Sequence, residues 1–140
     1  MPKKTARIIL DTNLGISFLI TKNLSPLDPL LISGQIKLLF SEDLLTEFVE
    51  VIQRTKFKKY FSRSEIDELF ITIGSYAEFI SVKTEVNICR DPKDNFLLCL
   101  AIDGQVNYLI TGDQDLLTLK EIGTAKIITI SDFFVAQGRK

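Results

Sequence analysis

The chain has 140 residues, 46% hydrophobic and 25% charged, the proportions of an ordinary soluble globular domain with a sizeable core. Its formal net charge is −1, so no global positive field marks a nucleic-acid binder, and its two cysteines are too few for a disulfide framework or a zinc cluster. Histidine is absent, which excludes Ser-His-Asp and Cys-His triads, histidine general bases and the usual His-ligated zinc and non-haem iron sites. Any catalysis must run on carboxylates, lysines, hydroxyls or hard metal ions.

The N-terminus is basic, but its apolar run is too short for a signal peptide. No apolar run approaches the ~18–20 residues needed to cross a bilayer. A cytoplasmic protein away from the membrane is expected. In chain order, Arg7–Leu10, Ile36–Phe40, Phe79–Val82, Tyr108–Ile110 and Lys126–Ile130 read as strands rich in Ile, Leu, Val and aromatics. Ser41-Glu42-Asp43-Leu44 opens a helix with a serine cap and early acids, and Leu44, Leu45, Phe48, Val51 and Ile52 follow at helical spacing. A second helix opens at Ser64, with Ile66, Leu69, Phe70 and Ile73 on one face. A third spans Asp91–Ile102, with Phe96, Leu97, Leu100 and Ala101 facing inward. The alternation predicts an α/β domain with a central parallel sheet of about five strands and helices on both faces. No repeat, low-complexity tract or linker divides the chain, and Cys89 and Cys99 are expected as buried, reduced thiols.

In open α/β sheets ligands gather outside the carboxyl ends of the strands. Asp11 follows the first strand directly, and Asp113 follows the fourth across Thr111-Gly112. Asp94 falls in the first turn of the third helix, and Glu47 about one turn into the first, on the edge of its apolar stripe. In a right-handed α/β arrangement these four acids converge on one rim. Carboxylates packed together repel, and a divalent cation removes the conflict. Oxygen donors without His or Cys indicate Mg²⁺ or Mn²⁺. Each acid has a plainer role open to it: Asp11 and Asp94 as helix-terminal acids, Glu47 as a solvated flank, TGDQD as a turn before a helix.

These residues resemble the PIN domain, a metal-dependent ribonuclease fold, over roughly residues 7–134. The carriers are Asp11-Thr12-Asn13 after the first strand, Glu47 in SEDLLTEFVEV, Arg90-Asp91-Pro92-Lys93-Asp94-Asn95 opening a helix, and Thr111-Gly112-Asp113-Gln114-Asp115-Leu116 after a strand. The combination is most similar to the branch containing toxin components of bacterial toxin–antitoxin pairs. The resemblance implies a three-layer α/β/α sandwich in a single domain and cleavage of single-stranded RNA with Mg²⁺ or Mn²⁺. Asp11, Glu47, Asp94 and Asp113 correspond to its acidic quartet. Asn13 and Thr111 would orient a carboxylate or touch a phosphate, and Asp115 would be either a further metal ligand or an acid supporting one. The toxin-like branch also implies an antitoxin protein that closes the acidic pocket, and a homodimer.

Arg54, Lys56, Lys58, Lys59 and Arg63 are interleaved with Phe57, Tyr60 and Phe61, a pattern suited to a phosphate backbone and unpaired bases. A solvated helix end with tucked-in aromatics is the plainer alternative. Two rival functions remain at this stage. A magnesium-dependent phosphatase or phosphotransferase of the haloacid-dehalogenase type needs a second Asp two residues after its nucleophile, where this chain has Asn13. The other rival is a non-catalytic RNA- or protein-binding module on the same fold. No G-x-x-x-x-G-K-[ST] occurs, which disfavours P-loop chemistry.

Overall fold

The sheet is built around the strand that precedes Asp11. A computed structural model describes residues 5–14, 33–54, 62, 64, 67, 71, 77–83 and 95–136. Within them β1 (Ala6–Leu10) lies between β2 (Ile36–Phe40) and β4 (Tyr108–Ile110), pairing with both in parallel. The full order is β3-β2-β1-β4-β6-β5, with β3 at Ala77–Phe79, β5 at Glu121–Ile122 and β6 at Ala125–Ile128. All neighbours run parallel except β5, which is antiparallel to β6. Gly123 adopts φ +57° in the turn between those two, a left-handed conformation that glycine enters without Cβ strain. The sheet therefore has six strands where about five were expected, because a two-residue edge strand leaves no alternation to read.

Helices cover both faces. α1 (Glu42–Ile52) begins where Ser41 Oγ accepts a hydrogen bond from Leu44 N at 3.2 Å, the expected cap. Its Leu44, Phe48, Val51 and Ile52 are buried, and Leu45 is half-buried. α2 (Asn95–Asp103) packs beside it, so that Leu97, Leu98, Leu100 and Ala101 join Ile9, Leu39, Leu109 and Ile127 in the larger core. Leu98 is buried although it was not among the residues expected inward, Cys99 is buried as expected of its thiol, and Phe96 is half-buried. α2 is enclosed nearly all round and shows no polar stripe. On the opposite face α4 (Ile130–Ala136) inserts Phe133 against Ile8, Ile36 and Ile110. Between β4 and β6 lies the short α3 (Gln114–Leu117). The layered α/β/α arrangement agrees with expectation. No helix among the described residues is long and apolar enough to cross a membrane.

Two strands depart from the sequence reading by more than one residue at an end. The third strand is Ala77–Phe79, extended by the bond from Ile80 N to Phe40 O at 2.9 Å, instead of Phe79–Val82. Its central residue, Glu78, is held by a bidentate pair with Arg7 of β1, both N–O distances 2.9 Å, and by Lys37 of β2 at 3.7 Å. A charge at mid-strand masks the pattern that marks β structure. The last strand stops at Ile128 instead of Ile130, because Thr129 Oγ1 accepts from Asp132 N at 3.1 Å and starts α4. Ser64, Asp67 and Ile71 are helical, as the second helix predicts; its expected inward residues lie outside the described residues, as do 91–94 of the third. Cys99 is a buried free thiol, and Cys89 is outside the described residues.

The Arg7–Glu78 pair ties β1 to β3 across β2, and Arg7 Nε also donates to Gly104 O at 3.0 Å. The hydrogen bond from Arg7 holds the Glu78 carboxyl below its ordinary value, with the positive charges of Arg7 and Lys37 acting in the same direction. Its partner's guanidinium is raised in turn. A folded-state pKa below the unfolded one means that protons favour the unfolded chain. The pair therefore stabilises above the ordinary glutamate range, and its contribution disappears as pH falls through the lowered value. Both side chains are about one-third exposed, which limits the contribution to about 1 kcal/mol or less. Melting of wild type and Glu78→Gln across acid pH checks this. Wild type should be the more stable near neutrality, and the two should converge in acid.

Candidate active site

The chain leaves β1 and β4 on the same edge of the sheet, and the acids sit where it leaves. Asp11 N still donates to Ile110 O at 3.1 Å, so its backbone is fixed by the ladder. Its Oδ1 accepts from Leu14 N at 2.8 Å, capping a helix whose residues 12–14 are described. Its Oδ2 accepts from the hydroxyl of Thr111. That hydroxyl in turn accepts from Asp113 N at 3.0 Å, while Thr111 N donates to Ile128 O at 3.0 Å. Asp113 Oδ1 accepts from Asp115 N at 2.8 Å and caps α3. Asp11 and Asp113 are thus held together through one buried hydroxyl, Thr111 being 1% exposed. The capping role and a site role are not alternatives at these positions. Each carboxylate oxygen that accepts one N–H or O–H keeps capacity for another partner.

A cleft of about 510 Å³ opens at this edge, lined by Asp11, Asn13, Glu47 and Asp113 with Leu97 and Leu116 among its apolar walls. Glu47 reaches it from α1, two turns beyond the Ser41 cap. Three carboxylates from three separate segments therefore face one cavity. Among the described residues, no three Asp, Glu or Cys side chains stand close enough to hold one metal ion. Asp94, the fourth acid of the sequence reading, lies outside the described residues. The donor chemistry still fits a hard cation, since among the described residues the cleft's ionisable groups are all carboxylates.

The other expected contributors separate. Asn13 is exposed and lines the cleft. Thr111 donates its hydroxyl to Asp11 and is not among the lining residues. Asp115 is half-buried and also stands outside the lining, its backbone serving the Asp113 cap. Arg54 is exposed beyond the end of α1. Lys56, Lys58, Lys59 and Arg63 lie outside the described residues. Sequence reasoning missed Thr12, which lines the cleft yet is only 2% exposed. Its place between Asp11 and Asn13 reads as capping chemistry, and only packing reveals the burial.

Residues 7–115 match the family profile of the PIN domain. The chain belongs to the PIN domain family. The match begins in β1 and ends in α3, so it contains Asp11, Glu47, Asp94 and Asp113. The chain is also similar to the uncharacterized protein MJ1680 of Methanocaldococcus jannaschii, 31% identical over 125 residues that cover 86% of this chain and 79% of that protein. Among solved structures, PAE2754 from Pyrobaculum aerophilum is similar with a TM-score of 0.60 and 10% identity, over 96% of this chain and 90% of that one. A chain of VapBC2 from Rickettsia felis, solved bound to a DNA fragment from their promoter, is similar with a TM-score of 0.56 and 16% identity, over 86% and 98%. At such identities the structural likeness is one of fold, and it agrees with the PIN-like sandwich expected from sequence.

Proposed function

We propose that this PIN domain is a metal-dependent endoribonuclease that hydrolyses single-stranded RNA, working as one domain whose core spans about 7–134. The observation that carries the proposal is the cleft at the carboxyl edge of the sheet, into which β1, α1 and the β4–α3 turn bring Asp11, Glu47 and Asp113. Asp11, Glu47, Asp94 and Asp113 would hold Mg²⁺ or Mn²⁺. When bound, such an ion polarises a phosphate oxygen and lowers the pKa of water to supply the nucleophile. The protein's own part is positional. Thr111 fixes the Asp11 carboxylate, the Asp113 amide fixes Thr111, and Asn13 offers a neutral donor at the mouth of the cleft. Glu47 either completes the ligand set or orients water.

The toxin role, with an antitoxin protein closing the cleft, draws support from the motif resemblance and from the fold shared with a VapBC2 chain. A homodimer and a cytoplasmic location belong to the same reading. The basic stretch at Arg54, Lys56, Lys58, Lys59 and Arg63 would track the RNA backbone.

Purified protein should cleave a mixed-sequence single-stranded RNA in Mg²⁺ or Mn²⁺ and leave a small phosphate monoester intact. Turnover of the ester, with a trapped aspartyl-phosphate at Asp11, would instead establish a phosphotransferase. RNA retention without cleavage would establish a binding module.

A further inference from the structure

The Thr12 hydroxyl has no hydrogen-bond partner among the described residues, although it is shut off from solvent. Buried polar groups are nearly always satisfied, and an unsatisfied one costs folding free energy that an apolar side chain of the same shape would not. Threonine in a helix commonly turns its hydroxyl back to a carbonyl three or four residues earlier. At position 12 those carbonyls belong to β1, where the extended backbone carries them away along the sheet. Among the described residues the local structure thus offers this hydroxyl no partner.

The cleft supplies the reason to keep it. Among the described residues its lining holds three carboxylates and no lysine or arginine, and the lining side chains able to donate a hydrogen bond are Thr12 and Asn13. A phosphodiester entering among acids needs neutral donors as well as a cation, because every unpaired anionic oxygen loses its water on entry. We infer that Thr12 Oγ1 is a substrate-contacting group that donates to a phosphate oxygen of the RNA strand. In the free protein the hydroxyl is buried. Its donation to a phosphate therefore requires the side chain to turn toward the cleft that residue 12 already lines, as the substrate enters. The inference rests on the nuclease reading and adds to it a donor subsite for the scissile strand.

Valine is close to threonine in shape and lacks only the hydroxyl. Thr12→Val should melt roughly 3 °C or more above wild type, because an unsatisfied group is removed. The same variant should lose about tenfold or more in affinity for a fluorescein-labelled single-stranded RNA, measured with Ca²⁺ in place of Mg²⁺, and a similar factor in kcat/KM with Mg²⁺. Thr12→Ser should keep both near wild type. Greater stability with unchanged affinity and kcat/KM would overturn the inference, leaving the nuclease reading intact. A lower melting temperature would also overturn it, since the hydroxyl would then be satisfied in the free protein. If wild type itself neither binds nor cleaves RNA, the nuclease reading falls and this inference falls with it.

Discussion

Asp11→Asn should lower RNA cleavage at least about a hundredfold, the scale expected when a group that stabilises transition-state charge is removed. The fold should survive. Asparagine caps helices as well as aspartate does, so the bond from Leu14 N to a side-chain oxygen is kept. The loss is that of charge. The amide that replaces Oδ2 faces the Thr111 hydroxyl, which must then give up its donor role toward residue 11. Initial cleavage rates and melting curves of wild type and variant, purified identically, separate the two effects. Cleavage at the wild-type rate would remove Asp11 from the catalytic account, and a collapsed melting transition would make the variant uninformative about chemistry, in which case Asp113→Asn, which also retains its cap acceptor, carries the same prediction.

The largest loss of stability should come from the opposite face of the sheet. Phe133 is fully buried, packs edge-on against Tyr108 with ring centroids 5.5 Å apart, and fills the smaller core with Ile8, Ile36 and Ile110. Phe133→Ala should cost about 3–5 kcal/mol, the range for removing a large aromatic from a packed core. For a chain of this size the melting temperature should fall by roughly 10 °C or more. Cleavage well below the new midpoint should stay near wild type, because Ile110 and Thr111 remain tied to the neighbouring strands. A small shift would mean that α4 contributes less to the fold than its packing indicates.

What was legible in the sequence followed from locality. Asp11 directly follows one short apolar strand and Asp113 follows another after two residues, and their roles as caps are written within the next few residues. Ser41 and the buried positions of α1 were readable for the same reason. The features that escaped depend on contacts far apart in the chain. Glu78 belongs to a strand because Arg7 and Lys37 receive its charge. Leu98 is enclosed because α2 is surrounded, which periodicity cannot reveal in a helix without a polar stripe. The resemblance offered Thr111 as orienting a carboxylate, but that its hydroxyl bonds Asp11, a hundred positions away, is shown only by the fold. Thr12 looks like capping chemistry until its burial is known.

The central claim is that the carboxylate cleft cleaves RNA through a bound divalent ion. Its most direct test is cleavage of a mixed-sequence single-stranded RNA by wild-type protein stripped with EDTA and then returned to Mg²⁺ or Mn²⁺, with Asp11→Asn in parallel. The account predicts no cleavage in EDTA, recovery on adding back either ion, and no recovery by the variant. Cleavage that persists in EDTA, or that the variant shares, would contradict it.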